Sequence, residues 1–303
     1  MFLTRTIESI LENIKGNTEV IAVLDGRWAD PPIKDNPRVT IIHHSESIGQ
    51  RAATNEAVKL SNAKYVAKCD AHCAFDEGFD VKLMEDMQDN WTMVPVMRNL
   101  HAFDWVCEKG HRRYQGPSAP GCATCGAIEH REMKWIGKTN PQLDSYCFDS
   151  EPHFQYFKEY RKRPEYQEGL KTGLTETMSL QGSFFMTTRE KYWELGLCDE
   201  GFGSWGSQGI EVACKTWLSG GKCMVNHKTW YAHMFRTQGG DFSFPYPQSA
   251  RKQEDAKAYA KDLFFNSKFD KAIYPLSWLL EKFWPVPGWK QEDLDELKNG
   301  KNT

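Results

Sequence analysis

The spacing of apolar residues changes period several times in the first hundred positions. Ile7, Ile10, Leu11 and Ile14 recur at helical spacing, and Gly16 ends the run. Residues 20–24 then read as a short buried strand that runs into Asp25-Gly26. A loop holding Asp30-Pro31-Pro32 leads to a second strand at 39–42, a helix over 50–60 and a third strand at 65–69. Strands that alternate with helices across short loops predict an α/β fold, a mostly parallel sheet flanked by helices. Ligands of such sheets bind beyond the carboxyl ends of the strands, where Asp25, His43, His44, Asp70 and His72 fall. The chain opens on a helix where such a domain ordinarily opens on a strand, so residues 1–100 read as a nucleotide-binding half with its first strand missing.

The pattern then changes. Residues 101–172 are polar, carry Gly, Pro, Cys and His, and show no sustained period, which predicts an inserted subdomain facing the substrate. Periodicity resumes near Met178, giving a second half over 173–265 that closes on a helix at 249–265 and holds a flexible Gly-rich lid at 234–247. Residues 266–303 form an aromatic tail with Trp278, Phe283, Trp284 and Trp289, and the charged end from Gln291 is expected to fray.

Composition narrows the function. With 38 basic and 41 acidic residues the net charge is −3, which argues against a generally basic nucleic-acid binder. No apolar stretch approaches the ~18 residues of a membrane helix, and the first residues do not read as an export signal. Nine cysteines, an odd number, fit reduced thiols in a cytoplasmic protein, some of them metal ligands.

Three segments carry side chains suited to chemistry. In Cys69-Asp70-Ala71-His72-Cys73, strand alternation would put Asp70 and His72 on one side, a carboxylate and an imidazole able to share a divalent cation such as manganese. In the segment from Tyr231 to Pro245, His233 could complete that site and Arg236 could hold a phosphate. In Gln181-Gly182-Ser183 and from Gly201 to Glu211, glycines let a ligand approach the backbone, and Trp205 could stack on a sugar. Each segment alone also reads as an ordinary strand end, a core histidine or a turn.

Taken together, the three resemble family 2 glycosyltransferases of the GT-A fold, especially the polypeptide N-acetylgalactosaminyltransferases. Asp70-Ala71-His72-Cys73 matches the family's Asp-x-His motif. The run from Trp205-Gly206 to Glu211, on to Trp217 and Gly220-Gly221, matches a Trp-Gly-Gly-Glu-Asn-Leu-Glu segment. Residues 232–237 match a Gly-His-Val-Phe-Arg-Lys segment ahead of an aromatic, Pro-bearing loop. The likeness covers about 1–98 and 178–247. It implies an enzyme that moves a sugar from a nucleotide diphosphate sugar, UDP-linked, to a hydroxyl, retaining configuration by front-side attack. It implies Mn2+ on Asp70, His72 and His233, the nucleoside near Asp25 and Arg51, the diphosphate near Arg236, and the sugar near Trp205 and Gln208, with Gly182 among the residues that bind the nucleotide sugar. Where the family has a Glu-Asn pair the chain has Gln208-Gly209, so the likeness does not extend to the donor sugar. Inverting relatives use an acidic base in this region, for which Glu211 is the nearest residue, and stereochemistry stays open. The acceptor is open as well: peptide Ser/Thr, a glycan or a modified DNA base.

The inserted region supplies a second metal motif. Cys107 and His111 form one arm, Cys122 and Cys125 the other, a spacing that suits a tetrahedral zinc knuckle, with His130 as a substitute ligand. The loop between them, 112–118, is basic and aromatic, which keeps a DNA-directed or noncatalytic zinc-binding module in play. A sugar nucleotidyltransferase is the other rival, but its Gly-rich, Lys/Arg-bearing triphosphate loop is not visible. Asp149 to Phe154 and the charged run 158–163 could face an acceptor or be a solvated face.

Overall fold

The computed structural model describes residues 2–141, 143–235 and 250–300. Helix α1 (Phe2–Asn13) leads into strands β1 (Val20–Asp25) and β2 (Val39–His44), which pair in parallel. Helix α2 (Gln50–Leu60), β3 (Tyr65–Cys69), β4 (Cys73–Phe75) and α3 (Phe79–Asp86) follow. Strand β5 (Trp91–Cys107) is 17 residues long, and β6 (Arg112–Tyr114) and β7 (Glu129–Pro141) fold back on its second half. A small pair, β8 (Tyr146–Phe148) and β9 (Phe154–Tyr156), precedes α4 (Pro164–Thr172), β10 (Leu174–Glu176), β11 (Phe184–Thr188) and α5 (Arg189–Glu194). Helix α6 (Gln208–Leu218) and β12 (Lys222–His233) complete the sheet, and α7 (Ala250–Ala260), α8 (Leu276–Lys282) and α9 (Gln291–Lys298) close the described chain.

The main sheet runs β10-β12-β5-β11-β3, with β4 on β12 and the hairpin strands on β5. It is mixed, not mostly parallel: β5–β12 is a parallel pair, whereas β3–β11, β11–β5, β10–β12 and β4–β12 are antiparallel. The helix-strand alternation of the first seventy residues is real, but β10 and β11 enter the sheet in the opposite direction to β3, β5 and β12.

Strand alternation divides the core between the two faces of the sheet. Val94, Val96 and Val225 pack with Ile210, Ala213 and Trp217 of α6, a helix buried along its whole length. Met93, Met97 and Met224 pack on the other side with Phe79 and Leu83 of α3. Helix α1 offers a hydroxyl face to the short strand β4, whose backbone N–H groups at Cys73 and Phe75 donate to Thr6 Oγ1 and Ser9 Oγ. Side chains thus satisfy donors that β4's free edge would leave open.

Two expectations need correction here. The stretch after residue 100 is a long twisted hairpin, and β5 runs unbroken through residues 100–101. Its alternation was hidden because the register slips between Arg98 and Leu100 and again between His101 and Phe103, so buried positions fall out of step. The charged end does not fray. Leu294 is buried in α9, the Lys290 N–H donates to Asp293, and the tail docks on the main core, where Trp289 Nε1 donates to the Phe148 carbonyl at 2.7 Å. Residues 301–303 lie outside the described residues.

Candidate functional site

Strand β3 ends at Cys69, and the chain bends through Asp70-Ala71-His72 before entering β4. Asp70 and His72 therefore converge through a bend and not through strand alternation. Antiparallel register pairs His233, the last residue of β12, with Cys73, one residue beyond His72, and Met234 N–H donates to the His72 carbonyl at 3.2 Å. Asp70, His72 and His233 thus offer ligand atoms that all lie within 4.8 Å of one another. The two imidazole rings are 4.6 Å apart, and His233 Nε2 is 3.3 Å from Asp70 Oδ2. His233 is 6% exposed, and its Nδ1 is buried with no hydrogen-bond partner among the described residues.

Lys68 is the site residue that the sequence reading missed. It sits two positions before Asp70, its side chain 7% exposed, and its Nζ lies 2.5 Å from Asp70 Oδ1 and 2.8 Å from the Gly182 carbonyl. A lysine inside the largely apolar Tyr-Val-Ala-Lys-Cys, two positions before Asp70, was the available signal, because a charge buried at a strand end needs a counter-charge within reach. Desolvation opposes the charge on Asp70, but Lys68, helped by His233 and His72, holds the carboxyl far below its usual range. The carboxylate stays ionised, one oxygen toward the ammonium and the other toward the histidines.

The other candidate residues separate into cleft and scaffold. Arg51 and Glu211 are not in an open nucleoside or base position. Arg51 is 1% exposed and Glu211 fully buried; Arg51 Nε donates to Glu211 Oε2 at 2.9 Å, and its Nη atoms donate to the carbonyls of Gly203 and Gly206 at 3.0 and 2.6 Å. The second Glu211 oxygen accepts from Asp199 N–H at 2.6 Å and from Lys215 at 3.3 Å. The pair braces the loop that carries the half-buried Trp205. Gln208 is also internal, bonded to Gln50 and to Cys198 Sγ. Asp25 does sit at the end of β1, but its carboxylate accepts from Ser47 Oγ, Ile48 N–H and Gly49 N–H, which fixes the turn before α2. Gly182 and Gly209 mark a close approach: a Cβ on Gly209 would stand 1.8 Å from the Leu180 carbonyl oxygen, and one on Gly182 3.1 Å from Gln208. Arg236 and all but Met234 and Phe235 of the expected lid lie outside the described residues.

At the far end of β5, Cys107, His111, Cys122 and Cys125 form a second set of ligand atoms within 4.8 Å of one another. His130 is exposed on β7 and is not in the set. The arginines of the intervening loop face carboxylates: Arg112 donates twice to Glu132, at 2.8 and 2.7 Å, and Arg113 to Glu129 at 2.8 Å. Among the described residues no helix is long and apolar enough to cross a membrane.

Sheet and site together fit the class of GT-A glycosyltransferases. The sequence agrees: a model of Glycosyl transferase family 2 matches residues 2–196, more than half of the chain, and the chain belongs to that family. It is 25% identical over 297 residues to "Putative polypeptide N-acetylgalactosaminyltransferase 13" of Drosophila melanogaster, covering 92% of this chain and 46% of that one. It is 28% identical over 115 residues to polypeptide N-acetylgalactosaminyltransferase 10 of Mus musculus, covering 38% of this chain and 18% of the relative. The chain thus spans less than half the length of these curated relatives. A crystal structure of GalNAc-T7 with UDP, GalNAc and Mn2+ superposes with a TM-score of 0.58 at 16% identity, over 98% of this chain and 52% of that one, a likeness of fold.

Proposed function

We propose that the chain transfers a sugar from a nucleotide diphosphate sugar, UDP-linked, to a hydroxyl acceptor in a manganese-dependent reaction that retains configuration. The observation that carries this reading is the convergence of Asp70, His72 and His233 at the strand ends of a family 2 glycosyltransferase fold. One carboxylate and two imidazoles suit a manganese-type cation, and an ionised Asp70 beside a buried, half-satisfied His233 is what such a site needs before loading. Bound there, the ion would act as a Lewis acid that offsets charge on a departing diphosphate. The UDP and Mn2+ held by the superposed GalNAc-T7 structure support that choice of donor and metal.

The protein's own part is positioning. Lys68 holds one Asp70 oxygen and the Gly182 carbonyl, tying the β3 end to the loop before β11. The Arg51–Glu211 pair fixes the loop that bears the half-buried Trp205. Such preorganisation lowers the entropic part of the barrier to a front-side displacement. With Arg112 and Arg113 paired to Glu132 and Glu129, the hairpin favours an acceptor other than DNA, and peptide Ser/Thr is the reading the relatives favour.

The test is a screen of nucleotide sugars for manganese-dependent hydrolysis, then mass spectrometry of peptide acceptors and NMR of the anomeric product. Wild-type protein should turn over a UDP-sugar, and His72→Ala and His233→Ala should abolish it. Wild-type manganese-dependent turnover in both variants would overturn the ligand assignment, and an inverted product would overturn the stereochemistry.

A further inference from the structure

We infer that Cys107, His111, Cys122 and Cys125 bind one structural zinc ion, and that this ion holds the far end of the β5–β7 hairpin in place of a hydrophobic core. The close ligand–ligand distances match the edges of a tetrahedron, and all four ligand atoms lie within 4.8 Å of one another. Cys107 Sγ lies 3.5 Å from His111 Nδ1 and 3.7 Å from Cys125 Sγ, and Cys122 Sγ lies 3.7 Å from His111 Nδ1. With Zn–S near 2.3 Å and Zn–N near 2.0–2.1 Å, the edges of a tetrahedral site are about 3.8 Å between sulfurs and about 3.6 Å between sulfur and nitrogen. A disulfide needs sulfurs about 2.05 Å apart, and all nine cysteines are free.

The backbone is wound as a zinc site requires. Each arm is a tight turn that closes on its first cysteine: Gly110 N–H donates to the Cys107 carbonyl at 2.8 Å, and Gly126 N–H to the Cys122 carbonyl at 2.7 Å. Both glycines have positive φ, 79° and 74°. Three thiolates and an imidazole form a soft set that selects zinc over the harder cations suited to Asp70, His72 and His233.

The segment has little apolar packing to order it. Between residues 108 and 128 the buried positions are Gln115, Gly116 and Cys122, while Ile128 is exposed. A segment of about twenty residues without an apolar centre does not offset its ordering entropy through packing, whereas a bound ion supplies folding energy directly. The site is separate from the catalytic one. Asn99 of β5 pairs with His233, and the eight residues from there to Cys107 span roughly 25 Å of strand. Zinc binding here therefore does not depend on whether the chain transfers sugar.

Metal analysis of purified full-length protein, not exposed to added zinc, tests it. The expected result is about one zinc per chain, released by a mercurial and reported by a zinc-binding dye, with visible d–d absorption of a tetrahedral thiolate centre after cobalt substitution. Cys122→Ser should lower the zinc content at least tenfold and speed amide exchange across 107–128, and His233→Ala should leave zinc content unchanged. Folded wild-type protein with no zinc and equal protection of 107–128 would overturn the inference, as would iron at the same stoichiometry. If Cys122→Ser is insoluble, wild-type stoichiometry and the cobalt spectrum decide the question alone.

Discussion

The two Cys/His/Asp clusters of this molecule are built in opposite ways. At the sheet, Asp70 and His233 are 163 residues apart and are brought together by strand register, by Lys68 and by a core on both faces. At the hairpin tip, Cys107 and Cys125 are 18 residues apart, and local turns bring the ligands together with little buried around them. The first site is assembled by the fold and should persist without metal. The second, on the zinc inference above, is part of what makes its own region fold. Ligand spacing along a chain thus indicates whether an ion serves chemistry on an existing scaffold or serves as scaffold.

The largest effect that could break this contrast is at the sheet cluster. His233→Ala should reduce manganese-dependent donor turnover at least ~10³-fold, about 4 kcal/mol of barrier, with a change in melting temperature of only a few degrees. A large loss of stability with modest loss of turnover would mean that His233 is structural. Asp70 is the poorer probe, because its removal leaves Lys68 buried without its counter-ion.

Next in size is the ion pair behind the Trp205 loop. Arg51→Ala leaves Glu211 buried and half-paired and should cost about 3 kcal/mol in urea unfolding. A cost under about 1 kcal/mol would show that the loop does not depend on this brace.

A smaller effect is readable by pH. Asp80, 4% exposed, accepts from Lys15 N–H, Gly16 N–H and Thr18 Oγ1 at 3.0, 2.9 and 2.7 Å. Desolvation pushes its pKa up, but these bonds outweigh that and hold it below its usual value of 3.8. A carboxyl depressed in the folded state stabilises fully at neutral pH and loses that contribution as pH falls below about 4. Asp80→Asn should therefore cost about 2 kcal/mol at pH 7, and the gap should narrow in acid. A gap independent of pH down to about 3 would exclude this linkage.

The smallest effect belongs to the hairpin surface. Arg112→Ala removes an exposed bidentate pair with Glu132 and should leave the urea-unfolding midpoint nearly unchanged, a far smaller effect than loss of zinc would have. A larger cost would move the burden of ordering the tip from the metal to its ion pairs.

The regular periods of the first seventy residues made α1, β1, β2, α2 and β3 readable in the sequence, and the members of both convergent clusters were readable as residue types at suitable spacing. Three things were not. The direction of β10 and β11 is set by topology and leaves no mark on alternation. Strand β5 beyond Arg98 was obscured by its register slips. The roles of Arg51 and Glu211 turn on partners 160 residues apart; motif position suggests the nucleoside for one and a base for the other, whereas the structure buries them as an ion pair with each other. Lys68 was legible in principle, since a charge in a buried strand beside an Asp is a pairing signal.

The contact between Gly209 and Leu180 has a consequence for any attempt to alter the start of α6. With 1.8 Å from a would-be Cβ to a carbonyl oxygen, residue 209 admits no side chain until the 180–182 turn has shifted. Grafting an amide at that position would therefore fail as a lone exchange. Remodelling this end of the helix is a two-loop problem, and the order of changes matters: the turn must move before the new side chain can enter.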